Sequence, residues 1–307
     1  MKKSLILILL FSYSITTKSQ NDSIKKGSIF KTSGKVIKNT VLTIPSDFAF
    51  MGKEISSDWK KTGFYLGGIV GLILTDKIST KFVQEHIEPI LDYPLPNISL
   101  VGEPSDNNRW LVDDNAYMTY PIIGNYLLSF ILNKERGQYA SMNALKAITH
   151  STIVTQLGLK TIFGRNRPHR PLSESEPEEP LTNNHLDFFN KRKGYLLGGA
   201  KASAFPSLHT TVYFAIAKVF QMEYDNYWIP YTFMSVVYLS NFDKHNHWFG
   251  DLVVGGIVGT IIGKSIVLSS WKKRGINGYI KKEKNFSVNI VPQYSKEFTG
   301  IHLVGTF

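Results

Sequence analysis

The 307-residue chain contains no cysteine. That excludes disulfide frameworks, thiolate metal sites and cysteine nucleophiles. An oxidising compartment is permitted but not required. Charge is also scarce: Asp, Glu, Lys and Arg make up 19% of the residues, against 43% apolar. This balance excludes a disordered, self-solvating chain and allows a sizeable buried core. Long apolar runs are few. A bilayer-spanning helix takes about 20 apolar residues, most uncharged stretches here are shorter, and mean hydropathy is −0.09. The formal net charge is +11, yet no single basic helix or aromatic-interleaved patch concentrates it. Nucleic acid is therefore not an expected partner. The excess suits a solvated surface or an anionic lipid or substrate.

The N-terminus begins with Lys2 and Lys3, continues with an apolar run from Leu5 to Tyr13, and exits through Thr16, Thr17, Lys18 and Ser19. That is the layout of a secretory signal peptide, with cleavage expected near Ser19 or Gln20. The alternative is an uncleaved anchor. Either way the chain is expected to leave the cytoplasm for the cell envelope.

Residues 21–60 read as a polar, lysine-rich arm packed on the main domain. From Thr62 onward six uncharged stretches recur, at 62–75, 116–133, 147–159, 202–217, 226–242 and 252–263. Each is long enough for three to five helical turns and none alternates with the two-residue period of a strand. The reading is a six-helix domain over 61–275. Gly67-Gly68-Ile69-Val70-Gly71 and Gly255-Gly256-Ile257-Val258-Gly259 resemble the small-residue faces on which membrane helices pack, so membrane association is kept open beside a soluble core. The connection 169–200 joins the two most informative motifs and reads as a lid or substrate-access loop. The tail, 276–307, carries strand-like segments and is expected to form a hairpin on the helices. No internal repeat is present.

Three clusters carry candidate chemistry. In the first, Lys160 and Arg167 are seven apart, two turns on one helical face if the helix continues, with Pro168 ending it. Arginine's fork and lysine's point charge suit a phosphate; a basic helix end that complements the macrodipole explains the pair equally well. In the second, Pro206 is expected in the first turn of a helix, with Ser207 and backbone N–H groups forming an anion site. His209 beside them could hold a proton for a leaving group; an ordinary helix start with a surface histidine is the alternative. In the third, His247 and Asp251 are four apart, which on a helix brings them into contact. A carboxylate on one imidazole nitrogen strengthens the other as a nucleophile. A structural His–Asp pair, or a metal site drawn from Asp243, His245, His247, Asp251 and His209, are the alternatives.

Taken in order, the clusters resemble the signature of the type 2 phosphatidic acid phosphatase superfamily, which also includes bacterial acid phosphatases and vanadium haloperoxidases. That signature reads Lys-x6-Arg-Pro, Pro-Ser-Gly-His and Ser-Arg-x5-His-x3-Asp. Here stand Lys160 to Arg167-Pro168, Pro206-Ser207-Leu208-His209, and Ser240-Asn241 followed by His247 and Asp251. The resemblance spans roughly residues 60–270. It implies an all-α, six-helix bundle of the acid phosphatase/vanadium haloperoxidase type, here with an N-terminal arm and a short C-terminal β-like tail. It also implies a phosphatase that uses no metal and no other cofactor. Its substrate would be a phosphorylated lipid or a small phosphoester, and no protein partner is predicted. His247 would be the nucleophile, Asp251 its orienting carboxylate and His209 the proton donor and acceptor, while Lys160, Arg167 and Ser207 would hold phosphate oxygens.

Two positions depart from the pattern. Leu208 replaces glycine and narrows access to the backbone amide. Asn241 replaces the third-motif arginine, a phosphate ligand, and brings no charge. Losing a positioned donor costs roughly 10²–10³ in rate. Lys244, Arg165 or Arg170 are the expected sources of a replacement cation. Alternative readings on the same fold are a vanadate-dependent haloperoxidase and a catalytically weakened envelope protein.

Overall fold

The computed structural model describes residues 28–91, 93, 95–96, 98, 101, 111–172, 180–192, 201–240, 246–276, 287–294 and 299–306. The expected signal peptide, Asn241, Asp243, Lys244 and His245 lie outside them. The chain divides into two compact units, residues 1–270 and 271–307.

The first unit is helical apart from one short pair of strands. Its helices are α1 (Ile29–Leu42), α2 (Ile44–Ser56), α3 (Trp59–Phe82), α4 (Asp113–Ile131), α5 (Glu135–Ser151), α6 (Lys160–Phe163), α7 (Leu208–Tyr224), α8 (Trp228–Leu239) and α9 (Phe249–Arg274), whose last turn crosses the unit boundary. The uncharged stretches fall on or across helices, although 202–217 begins ahead of α7 and most of 62–75 on α3 is exposed rather than packed in the core. The boundaries differ in one instructive place. The stretch 147–159 is only the second half of a continuous rod that starts at Glu135, passes through a π-helical segment (Thr152–Leu159) and ends in α6.

The arm is helical despite its polarity, and it is held by a buried ionic cluster. Asp47 on α2 is fully buried. Its Oδ2 accepts from Lys146 Nζ at 2.8 Å and lies 3.1 Å from His150 Nε2, both on α5. Lys146 also donates to Thr43 Oγ1 at 2.8 Å, and the Phe48 ring stacks on His150 at 4.7 Å. These buried charges are tolerable because each has a partner.

The core centres on α7, where Val212, Ile216, Val219 and Phe220 are buried. Helix α9 packs directly on its backbone. A methyl group added at Gly259 would lie 2.2 Å from Thr211 O, one at Gly263 2.4 Å from Ala215 O, and one at Gly255 2.8 Å from Ser207 O. The glycine spacing at every fourth residue is therefore a seam for close helix contact. Gly259→Leu is expected to destabilise the protein by about 3 kcal/mol through overpacking and to impair the site that α9 carries. Gly256→Ala, which meets only the Phe214 ring at 3.5 Å, is the internal control and should stay near wild type. Denaturant midpoints test both; equal midpoints for the two variants would contradict the seam.

Helix α9 is also the one described helix long and apolar enough to cross a membrane, although 56% of its most apolar window is buried in the protein. The second unit holds a hairpin: β3 (Ser287–Tyr294) pairs antiparallel with β4 (Thr299–Thr306), Ser287 opposite Thr306 and Tyr294 opposite Thr299.

Candidate active site

Lys160 opens α6 and is 3% exposed. The helix stops after Phe163 because Gly164 takes a left-handed conformation, φ +45°. Glycine is required there for a second reason: a Cβ would sit 2.2 Å from Asn190 O. Arg167 is therefore not two turns along one helix from Lys160, as the spacing suggested. It lies on the short strand β1 (Arg167–Pro168), paired parallel with β2 (Leu181–Thr182). The turn still brings the two cations together, since the Arg167 charge acts directly on Lys160. Arg167 Nε donates to Ser203 Oγ at 3.0 Å.

The segment after β2 is laced onto this motif rather than hinged above it. Phe189 N donates to Phe163 O at 2.7 Å, Asn190 N to Gly164 O at 2.9 Å and Asn166 N to Asp187 O at 3.1 Å. For residues 180–192 the lid expectation gives way to a fixed wall; the rest of that loop lies largely outside the described residues.

The second cluster also starts differently from the expectation. Pro206 precedes the helix instead of occupying its first turn. Ser207 is the N-cap of α7, with Oγ accepting from Thr210 N at 3.5 Å. Capping geometry wants extended backbone at the cap residue, which Ser207 has. Ser207 is almost fully buried, and His209 is half-buried in the first turn. Ser207 N donates to Asp251 O at 3.0 Å, which ties this cluster to the third.

In that third cluster His247 Nδ1 lies 3.4 Å from Asp251 Oδ2. The contact is at the long end for a hydrogen bond. The Asp251 carboxylate is fully buried and heavily engaged. Oδ2 also accepts from Trp248 N at 2.9 Å, and Oδ1 takes Arg165 Nη1 at 2.6 Å. Arg165 Nη2 reaches Asp76 Oδ2 on α3 at 2.8 Å. Asp76 Oδ1 accepts from Gly250 N at 2.6 Å and Thr80 Oγ1 from Phe249 N at 3.0 Å, so α3 caps the start of α9. Arg165 is therefore no replacement phosphate ligand: it is fully buried between two carboxylates. Arg170 is likewise engaged, with Glu88.

The sequence reading missed two contributors. One is Asp76, a lone carboxylate that follows an apolar run and so needs a buried cation; that mismatch was the available signal. The other is Arg192, only 8% exposed, whose charge acts on both Lys160 and Arg167. Burial first, then Arg167 and Arg192, pushes the Lys160 ammonium well below the ordinary lysine range. Burial likewise lowers Arg167 and Arg192, although an arginine stays charged at any working pH.

Beside the site opens an apolar crevice of roughly 270 Å³ between α7, α8 and the start of α9. Tyr213, Phe214, Tyr231, Met234, Tyr238 and Leu252 line it. Tyr238 links it to the site, lying within electrostatic reach of Asp251.

Residues 138–275 match the model of the PAP2 superfamily. This segment, which carries all three clusters, is a PAP2 domain. Comparison with curated proteins and with solved structures finds no match. Phosphatase-type hydrolysis is the chemistry that the PAP2 assignment supports, with phosphoesters or lipid phosphates as the general substrate class.

Proposed function

We propose that this PAP2 domain hydrolyses the phosphate ester or pyrophosphate of a lipid through a phosphohistidine. The observation that carries the reading is the His247–Asp251 pair, set beside a cluster of buried cations and next to an apolar crevice. With Nδ1 turned to Asp251, His247 Nε2 attacks phosphorus in line. The phosphorus–oxygen bond to the leaving group breaks as the phosphorus–nitrogen bond forms, and His209 gives its proton to the departing oxygen. His209 then takes a proton from water, whose oxygen attacks phosphorus and releases His247 and inorganic phosphate. Lys160, Arg167 and Ser207 hold the equatorial oxygens, where fixed charge favours the transition state over the ground state.

Two features favour a lipid over a small ester. The crevice is lined almost wholly by apolar and aromatic side chains. The outer faces of the helices also expose large apolar residues, among them Phe64, Leu66, Leu74 and Ile78 on α3 and Leu127 and Ile131 on α4. Such a surface suits association with lipid. Export to the cell envelope goes with the signal-peptide layout of residues 1–20.

A phosphate-release panel tests the reading with phosphatidic acid, undecaprenyl pyrophosphate and a small soluble monoester. Vanadate-sensitive release is expected, with kcat/KM for a lipid substrate at least about tenfold above the soluble ester, a difference of about 1.4 kcal/mol in transition-state stabilisation. Faster turnover of the soluble ester would sink the lipid assignment. Peroxide-dependent halide oxidation with added vanadate and no phosphate release would favour the haloperoxidase reading.

A further inference from the structure

The phosphate-binding arginine expected at position 241 is asparagine in this chain, and the two nearby arginines of the first motif are committed to carboxylates. A cation from a different part of the fold stands in the cluster instead. Arg192 lies two residues beyond Asn190, on the segment that is laced to residues 163–166 by the backbone bonds at Phe189, Asn190 and Asp187. Its Nη1 donates to Gln156 O at 2.6 Å. Gln156 lies one turn before Lys160 on the same helical rod, so the guanidinium is anchored close to the Lys160 side of the site.

The rest of that guanidinium is unspent. Nε and Nη2 are buried, and neither has a hydrogen-bond partner among the described residues. No carboxylate pairs with Arg192 among those residues either. Buried, unpaired donors on a cation are costly, and here the cation also adds to the repulsion within the Lys160–Arg167 pair. Asp251 balances Lys160 and Arg167 only in part, because its carboxylate is already bonded to Arg165, so a bound polyanion relieves this concentration of buried positive charge. A phosphoryl group supplies the charge and the acceptor oxygens together, and an arginine fork fits two of its oxygens at once.

We propose that Arg192 is the third phosphate-binding cation of this site, taking from the inter-motif segment the role that Asn241 leaves vacant. The assignment rests on the reading of the cluster as a phosphate site. It predicts that charge at 192 and charge at 241 are interchangeable, which a purely structural role for Arg192 does not.

The test uses the full chain and two readouts: calorimetric titration with inorganic phosphate, and phosphate release from phosphatidic acid. Arg192→Gln should weaken phosphate binding about 10- to 100-fold, the scale of one charge-assisted contact. Asn241→Arg in the Arg192→Gln background should recover most of that loss. Asn241→Arg alone should change binding by less than about threefold, because the cation is already present. Arg192→Lys, which keeps the charge and loses the fork, should fall between, and thermal unfolding confirms that each variant is folded. Binding by Arg192→Gln equal to wild type overturns the assignment, as does a loss that neither Arg192→Lys nor Asn241→Arg recovers, or a wild-type chain that binds no phosphate. The two proposals fail separately. Phosphate binding that depends on Arg192 without any ester hydrolysis keeps Arg192 and removes the phosphatase reading. Hydrolysis unaffected in Arg192→Gln does the reverse.

Discussion

His247→Ala is expected to lower phosphoester turnover by about 10⁴-fold or more, the scale of removing a covalent nucleophile, while leaving the protein folded. The reasoning separates the two effects. His247 is buried and on the loop just before α9, but the carboxylate it faces does not depend on it: Asp251 keeps Arg165 and the Trp248 amide. No buried charge is stranded when the imidazole is removed, so the cost to stability stays small. Phosphate binding should survive too, because Lys160, Arg167 and Ser207 remain. Activity that persists in the variant would mean that another group attacks phosphorus. Loss of both folding and phosphate binding would mean that His247 is a structural member of the pair.

Arg165→Met is expected to do the opposite, destabilising the protein by about 3–5 kcal/mol, the range for breaking a buried ion pair from one side. Arg165 is fully buried. It holds Asp251 Oδ1 at 2.6 Å and Asp76 Oδ2 at 2.8 Å, and its guanidinium sits over Phe188 at 4.7 Å and Trp248 at 5.1 Å. Methionine keeps much of the volume and leaves two buried carboxylates facing each other without the cation that bridges them. Asp76→Leu combined with Arg165→Met removes one of them and should recover part of the loss, since replacing a buried pair wholesale is far cheaper than breaking it. Thermal unfolding checks the set. A single variant within about 1 kcal/mol of wild type would mean that the Arg165–carboxylate pairs contribute little.

Much of this arrangement was legible in the sequence because its spacing is local. His247 and Asp251 meet as the four-residue spacing suggested, although His247 precedes α9 and the Asp251 carboxylate turns back over the helix start, taking the Trp248 amide as well; Ser207 caps because its neighbours leave N–H groups without partners. The uncharged stretches marked the helices from α3 onward, those of the core because burial excludes charge. What escaped was set by tertiary contact. The Lys160–Arg167 spacing suggested one helix, but the close approach of Asn190 to Gly164 requires a turn that sequence spacing does not reveal. The arm looked merely polar, because the partners that justify Asp47, Lys146 and His150 lie about a hundred residues apart. Arg192 stands between Lys191 and Lys193, and nothing in that run of cations marks it as buried. Only the backbone bonds that pin residues 187–190 to residues 163–166 turn it inward, and no short-range pattern encodes them.

The most direct measurement is to trap the covalent intermediate. The full chain is mixed with a phosphate-labelled substrate from the panel, quenched in alkali during turnover and digested, and the labelled peptide is mapped. The account predicts label on His247, absent in His247→Ala and discharged as inorganic phosphate when turnover is allowed to finish. Label on another residue, or steady hydrolysis with no protein-bound phosphate, would contradict it.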